Sequence, residues 1–240
     1  MADLTKTAMQ KLPFLALLIL ACALFSSAQT SGTYQFGDRQ ITIPWPDGFT
    51  SVYGRFPQVT KRFNATEDPG NTVLAAHVPE DFVEKLQGSE NIDLDFYTKV
   101  SVAKSLRSTP VTLEHYKEVV HDLEKNFEAY MNPDGELVKQ VEKNSEKGLA
   151  GIGKKTRIDT TSTKSLGFFQ KNEHVFSAMS VNDANISGRM VTTLMTLSVV
   201  YVKQRLFYVY VYKMFPDDSA QKDLVTFTRR FTAGIVAANK

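Results

Sequence analysis

Hydrophobic and polar positions alternate most regularly between Val191 and Phe215, where strand-like runs at 191–202 and 206–214 flank a polar hinge at Lys203, Gln204 and Arg205. Both runs are rich in the β-branched and aromatic residues that suit a pleated, half-buried surface. In the second run, Leu206, Tyr208, Tyr210 and Tyr212 fall on one face and Phe207, Val209 and Val211 on the other, because side chains alternate along a strand. Tyr201 is expected opposite this row across the hairpin.

The same alternation predicts earlier strands at 36–46, with a turn at Gly37 and Asp38, and at 71–78 and 97–106. A hairpin of 165–171 with 174–181 follows, and 182–188 reads as a loop leading into the long hairpin. Helical spacing takes over at 113–131, where Leu113, Tyr116, Val120, Leu123, Phe127 and Tyr130 recur three or four apart behind Thr112. A short helix fits 79–86. The last helix, 217–237, carries the stripe Ala220, Leu224, Phe227, Phe231 and Ile235, with Asp217, Asp218 or Ser219 as its cap. That stripe is expected against the 191–214 hairpin, the apolar surface nearest in sequence.

These elements predict an α+β fold: a mostly antiparallel sheet, a meander ending in a long hairpin, covered by amphipathic helices. One domain is expected over 34–240, after a polar lead-in at 29–33. The stretch 136–163 is the most polar and reads as an inserted solvated helix or loop ahead of a strand. Trp45, between Pro44 and Pro46, is expected to plug an edge of the core.

The order of elements, with the turn motif Pro44, Pro46, Asp47, Gly48, Phe49 after the first strand, resembles the PsbP-like α/β/α sandwich. The resemblance implies that fold and points to secreted bacterial relatives. It carries over no site residue.

The start of the chain differs from the rest. Lys6 and Lys11 precede an unbroken apolar run at 12–25, followed by Ser26, Ser27 and Ala28, which is the pattern of a signal peptide cleaved after Ala28. At 14 residues the run is shorter than the ~20 a spanning helix needs. An exported protein, periplasmic or secreted, is therefore expected, with no transmembrane span in the mature chain. The alternative is a lipoprotein anchored at Cys22, which follows Ile19, Leu20 and Ala21. Since Cys22 is the only cysteine, the mature chain contains no thiol, which excludes disulfides, thiolate metal sites and cysteine nucleophiles.

Charge names no partner: 28 basic and 26 acidic residues leave a net +2, so no nucleic-acid partner is expected. Gly148, Gly153 and Lys154 imitate part of a phosphate-binding loop, but Lys155 stands where a Ser or Thr is needed for the metal. Glu118 and His121 lie one helical turn apart without a facing helix to complete a metal site, and His115 and His121 point to different faces. No metal and no cofactor are expected. Sequons occur at Asn64 and Asn185 and matter only in a glycosylating pathway. A Gly-x-Ser-x-Gly elbow is absent, although His77, His115, His121 and His174 leave open a site assembled in space. The leading expectation is an exported, non-enzymatic binding or accessory domain for a partner protein or a small apolar ligand. Tyr208, Tyr210, Tyr212 and Tyr201 are its candidate ligand-binding residues, against the plainer reading that the row packs under a helix with its hydroxyls at the rim, and an extracytoplasmic hydrolase is the alternative.

Overall fold

The structure is a computed structural model that describes residues 30–86 and 94–240. The leader read over 1–28, with Cys22, lies outside the described residues.

The first described element is a hairpin of β1 (Ser31–Phe36) and β2 (Arg39–Pro44), which turns at Gly37 with φ +58° and forms a sheet separate from the main one. The main sheet is built from β3 (Phe49–Ser51), β4 (Asn71–Pro79), β5 (Phe96–Ala103), β6 (Ile158–Lys171), β7 (Val175–Ile186), β8 (Arg189–Val202) and β9 (Arg205–Met214). Its order is β3-β4-β5-β9-β8-β7-β6, and every pairing is antiparallel. The helices are α1 (Pro57–Thr66), α2 (Val83–Leu86), α3 (Leu113–Tyr130), α4 (Glu136–Gly151) and α5 (Ala220–Ala238). The class is α+β, as the patterning predicts. Among the described residues no helix is long and apolar enough to cross a membrane.

Strand alternation divides the core into two faces. On one, Phe207 and Val209 pack with Phe36 and Ile43 of the first hairpin and with Phe231 and Ile235 of α5. The C-terminal helix also holds β2 through Asn239, whose amide accepts from Thr42 N at 2.9 Å and donates to Thr42 O at 2.7 Å. On the other face, α3 sets Tyr116, Val120 and Phe127 against Phe176, Val199 and Leu206, while α1 sets Val59 and Phe63 against Val73 and Ala76. Thr112 caps α3 by accepting from His115 N at 3.1 Å.

The α5 stripe is buried against the sheet at Ala220, Leu224, Phe231 and Ile235, whereas Phe227 is half-buried at the rim, packed on Phe49 and Phe96. Trp45 is half-buried just after β2.

Three elements differ from the pattern reading. Arg205 is not a solvated hinge residue: it opens β9, paired with Val202, and its side chain is 2% exposed. Its guanidinium donates to Phe36 O at 3.1 Å and to Asp38 Oδ1 at 2.6 Å, fastening the turn of the first hairpin to the sheet. The turn proper is Lys203 and Gln204, both at positive φ. The segment 182–188 is mostly strand, because the polar side chains that look loop-like are paired across the ladder: Asp183 accepts from Ser162 and Thr192. Helix α1 carries only two buried residues, Val59 and Phe63, too short a stripe to stand out as periodicity.

The polar stretch after residue 135 folds as α4, followed directly by the start of β6. Glu142 and Glu146 turn inward, and their carboxylates accept from Thr160 N at 2.5 Å and Ile158 N at 2.6 Å on the outer strand β6. Four helical residues rise about 6 Å, close to two residues of strand, so the carboxylates meet alternate N–H groups of an unpaired edge. On the opposite side, a Cβ on Gly148 would stand 1.7 Å from Ala65 O of α1. Close helix crossing therefore accounts for this glycine.

Candidate functional site

The tyrosine row lies on the face covered by α1, α3 and α4. Antiparallel register places Ser101, Lys99 and Tyr97 of β5 beside Tyr208, Tyr210 and Tyr212. Leu197 and Met195 of β8 lie on the other side of Tyr210 and Tyr212. Ring centroids step along the row at 6.4 Å from Tyr208 to Tyr210 and 6.1 Å from Tyr210 to Tyr212. Tyr97 then stacks on Tyr212 at 4.7 Å, with planes 18° apart.

Tyr201 faces Leu206, the first member of the row, and stacks on Tyr116 of α3 at 5.4 Å. The four candidate tyrosines thus divide between two surroundings. Tyr201 and Tyr208 belong to the α3 cluster, whereas Tyr210 and Tyr212 continue toward Tyr97 and Phe63. Burial raises the pKa of Tyr97, Tyr208, Tyr210 and Tyr212, so all four are neutral phenols at physiological pH. Their hydroxyls make no hydrogen bond among the described residues.

An ion pair is set into the middle of this row. Lys99 Nζ lies 2.9 Å from Glu67 Oε2, with side chains 11% and 7% exposed, and 4.9 Å from the Tyr210 ring centroid. Ser101 Oγ donates to Glu67 Oε2 at 2.7 Å and Asn71 Nδ2 to Glu67 Oε1 at 3.1 Å. Both carboxylate oxygens are thereby satisfied, the condition for a buried pair to persist. Burial opposes the charge on Lys99, but Glu67 and Tyr210 outweigh it and its pKa is raised.

At the Tyr97 end of the row, a cleft of about 1000 Å³ opens between α1, α4 and the ends of the strands. Its apolar lining includes Val59, Phe63, Tyr97, Leu149, Ile186 and Met214. Lys61, Arg62 and Lys154 also line it. A second, open pocket of about 670 Å³ carries Lys143, Lys147, Lys155 and Arg157, and it shares Thr156 and Ser187 with the cleft. The segments that build these walls sit far apart in sequence, and only the α1–α4 crossing at Ala65 and Gly148 brings them together. No local pattern marks Phe63, Leu149 or Ile186 as one group.

The histidines are dispersed. His77 is fully buried beneath α5, with Nδ1 2.8 Å from Thr98 Oγ1 and its ring edge-on to Phe231 at 5.8 Å. Its Nε2 has no partner among the described residues, and burial pulls its pKa down to about 3. His115 lies 3.3 Å from Glu118 on the exposed side of α3, His121 is on the same helix, and His174 occupies the β6–β7 turn. None of the four lines the cleft or the basic pocket. Among the described residues, no group of three or more His, Cys, Asp or Glu is placed to hold a metal ion.

No family model matches the chain, and no curated protein matches it. Among solved structures, a mutant of the protein Mog1 is similar at 11% identity and TM-score 0.36, covering 87% of this chain and 94% of that one. The Ran-binding protein Mog1p of Saccharomyces cerevisiae gives 11% and 0.36, covering 87% of this chain and 93% of its own. Cyanobacterial PsbP from Synechocystis gives 10% and 0.27, covering 90% and 94%. The likeness is a weak one of fold.

Proposed function

We propose that this chain is an exported, non-enzymatic binding domain that takes a small apolar ligand into the cleft between α1, α4 and the strand ends. The observation that carries the reading is the lining of that cleft: apolar side chains from both helices and from β5, β7 and β9 converge on about 1000 Å³ of open space. This is the upper end of the ~300–1,000 Å³ usual for small-molecule sites. Tyr97 belongs to the lining and stacks on Tyr212, so the floor of the cleft runs into the tyrosine row. Tyr212 and Tyr210 do not line the cleft themselves; Tyr212 backs Tyr97 from the neighbouring strand, with Tyr210 next along the row. Tyr208 and Tyr201, packed under α3, hold that floor in place. No histidine lines the cleft, which favours binding over hydrolysis.

A neutral fluorescent probe, N-phenyl-1-naphthylamine, tests the site. Saturable enhancement with one-site stoichiometry is expected, together with its loss in Ile186→Trp, where an indole fills the cleft from a half-buried wall position. An equal signal from that variant places the probe elsewhere and removes the reading. Export rests on the basic start, the apolar run at 12–25 and the small residues before Gln29. Intact mass of the protein from its native cells is expected to begin at Gln29. Retention of residues 1–28 in a protein that stays in the cytoplasm refutes export, and a lipidated Cys22 establishes the anchored form.

A further inference from the structure

The cleft and the basic pocket are neighbours across one wall. Thr156 and Ser187 line both. The wall is fixed by two hydrogen bonds, Ser187 N donating to Arg157 O at 2.9 Å and Arg157 N donating to Ser187 Oγ at 3.2 Å. On its inner side Val59, Phe63, Tyr97, Leu149, Ile186 and Met214 form the apolar part of a lining that also carries Lys61, Arg62 and Lys154. On its outer side are Lys143, Lys147, Lys155 and Arg157, with Glu146 as the one carboxylate, and that carboxylate is already engaged by Ile158 N. Among the described residues the four cations make no ion pair. Elsewhere, acids and bases nearly balance, with 28 basic and 26 acidic residues over the whole chain. The local excess is therefore a feature of the site and not of overall composition.

We infer that the two concavities form one binding site for a single-chain anionic amphiphile, its hydrocarbon chain in the cleft and its carboxylate or phosphate head among Lys143, Lys147, Lys155 and Arg157. This rests on the cleft being the ligand site proposed above. A neutral apolar ligand makes no use of the four outer cations, and a polyanion makes no use of the apolar lining. An amphiphile satisfies both halves across the Thr156–Ser187 wall. The head is held by exposed cations, so its share of the affinity falls as salt screens them.

The experiment is displacement of N-phenyl-1-naphthylamine from the purified protein by oleate, by oleoyl lysophosphatidate, by methyl oleate and by inorganic phosphate. Both oleoyl anions are expected to displace the probe at least tenfold more effectively than methyl oleate. Inorganic phosphate alone is expected to displace none of it. Whichever anion competes better identifies the head as carboxylate or phosphate. In the double variant Lys147→Glu, Arg157→Glu, the advantage over methyl oleate is expected to vanish while binding of the neutral probe persists, which also shows that the variant is folded. Equal displacement by oleate and methyl oleate overturns the inference and leaves the cleft reading intact, as does an undiminished advantage in the variant. Failure of the probe itself to bind removes the cleft reading first.

Discussion

Acidification from pH 8 to pH 5 is expected to destabilise the protein through His77 more than through any carboxylate whose pKa the fold depresses. The imidazole is fully buried, bonded among the described residues only through Nδ1 to Thr98, and its pKa is about 3 against 6.5 in an unfolded chain. Between those values the unfolded chain binds the proton and the folded chain does not, so stability rises with pH there. The contribution is complete above pH 6.5 and is lost as pH falls toward 3. Each pH unit below 6.5 costs about 1.4 kcal/mol, which gives about 2 kcal/mol between pH 8 and pH 5. Asp183 and Asp217, held low by hydrogen bonds from Thr192 and Ser162 and from Ser219, lose their contributions only below the usual carboxylate range, outside this window. The assay is urea unfolding at pH 8 and pH 5 for the wild type and for His77→Gln, which cannot titrate. The variant is expected to be less stable at pH 8 and to lose about 2 kcal/mol less on acidification. Equal losses in the two proteins refute the assignment.

Two further outcomes probe the two faces of the sheet. Phe231→Ala removes a ring 4% exposed between α5 and the core, so urea melts are expected to show a loss of about 3–5 kcal/mol, with a smaller loss for the half-buried Phe227→Ala; equal midpoints for Phe231→Ala and wild type mean that α5 does not close the core. Lys99→Met leaves the Glu67 carboxylate buried without its cation, for an expected loss of about 3–5 kcal/mol that Lys99→Met with Glu67→Gln largely restores; a double variant no better than the single one means the loss comes from packing under Tyr210.

The fold was legible wherever burial follows a local period. Alternation marked β8 and β9, and three-and-four spacing marked α3 and α5, because each of these elements presents a continuous apolar face to one layer. It failed where the partner is distant in sequence. Arg205 looks like a solvated hinge until Asp38 and Phe36 O, 167 and 169 residues away, supply its acceptors. Asp183 looks like a loop residue until Ser162 and Thr192 bond to it from neighbouring strands. The tyrosine row was legible as a face, but its position under α3 and behind Tyr97, outside the cleft lining, was not, since that depends on where α1 and α3 cross the sheet. The cleft itself left no trace in the sequence, because its walls are contributed residue by residue from separate elements.

The attachment of α4 to β6 has an asymmetric consequence for how freely its two sides can change. Glu142 and Glu146 grip main-chain N–H groups, so nothing in the bond reads which side chains Ile158 and Thr160 carry. The strand can accept substitution there, proline excepted, without losing its hold on the helix. The helix has no such latitude: moving either glutamate by one position swings its carboxylate about 100° away from the strand. A tally of tolerated substitutions across this contact should therefore be permissive on the strand and strict on the helix, the reverse of what the helix's hydrophilic composition leads one to expect.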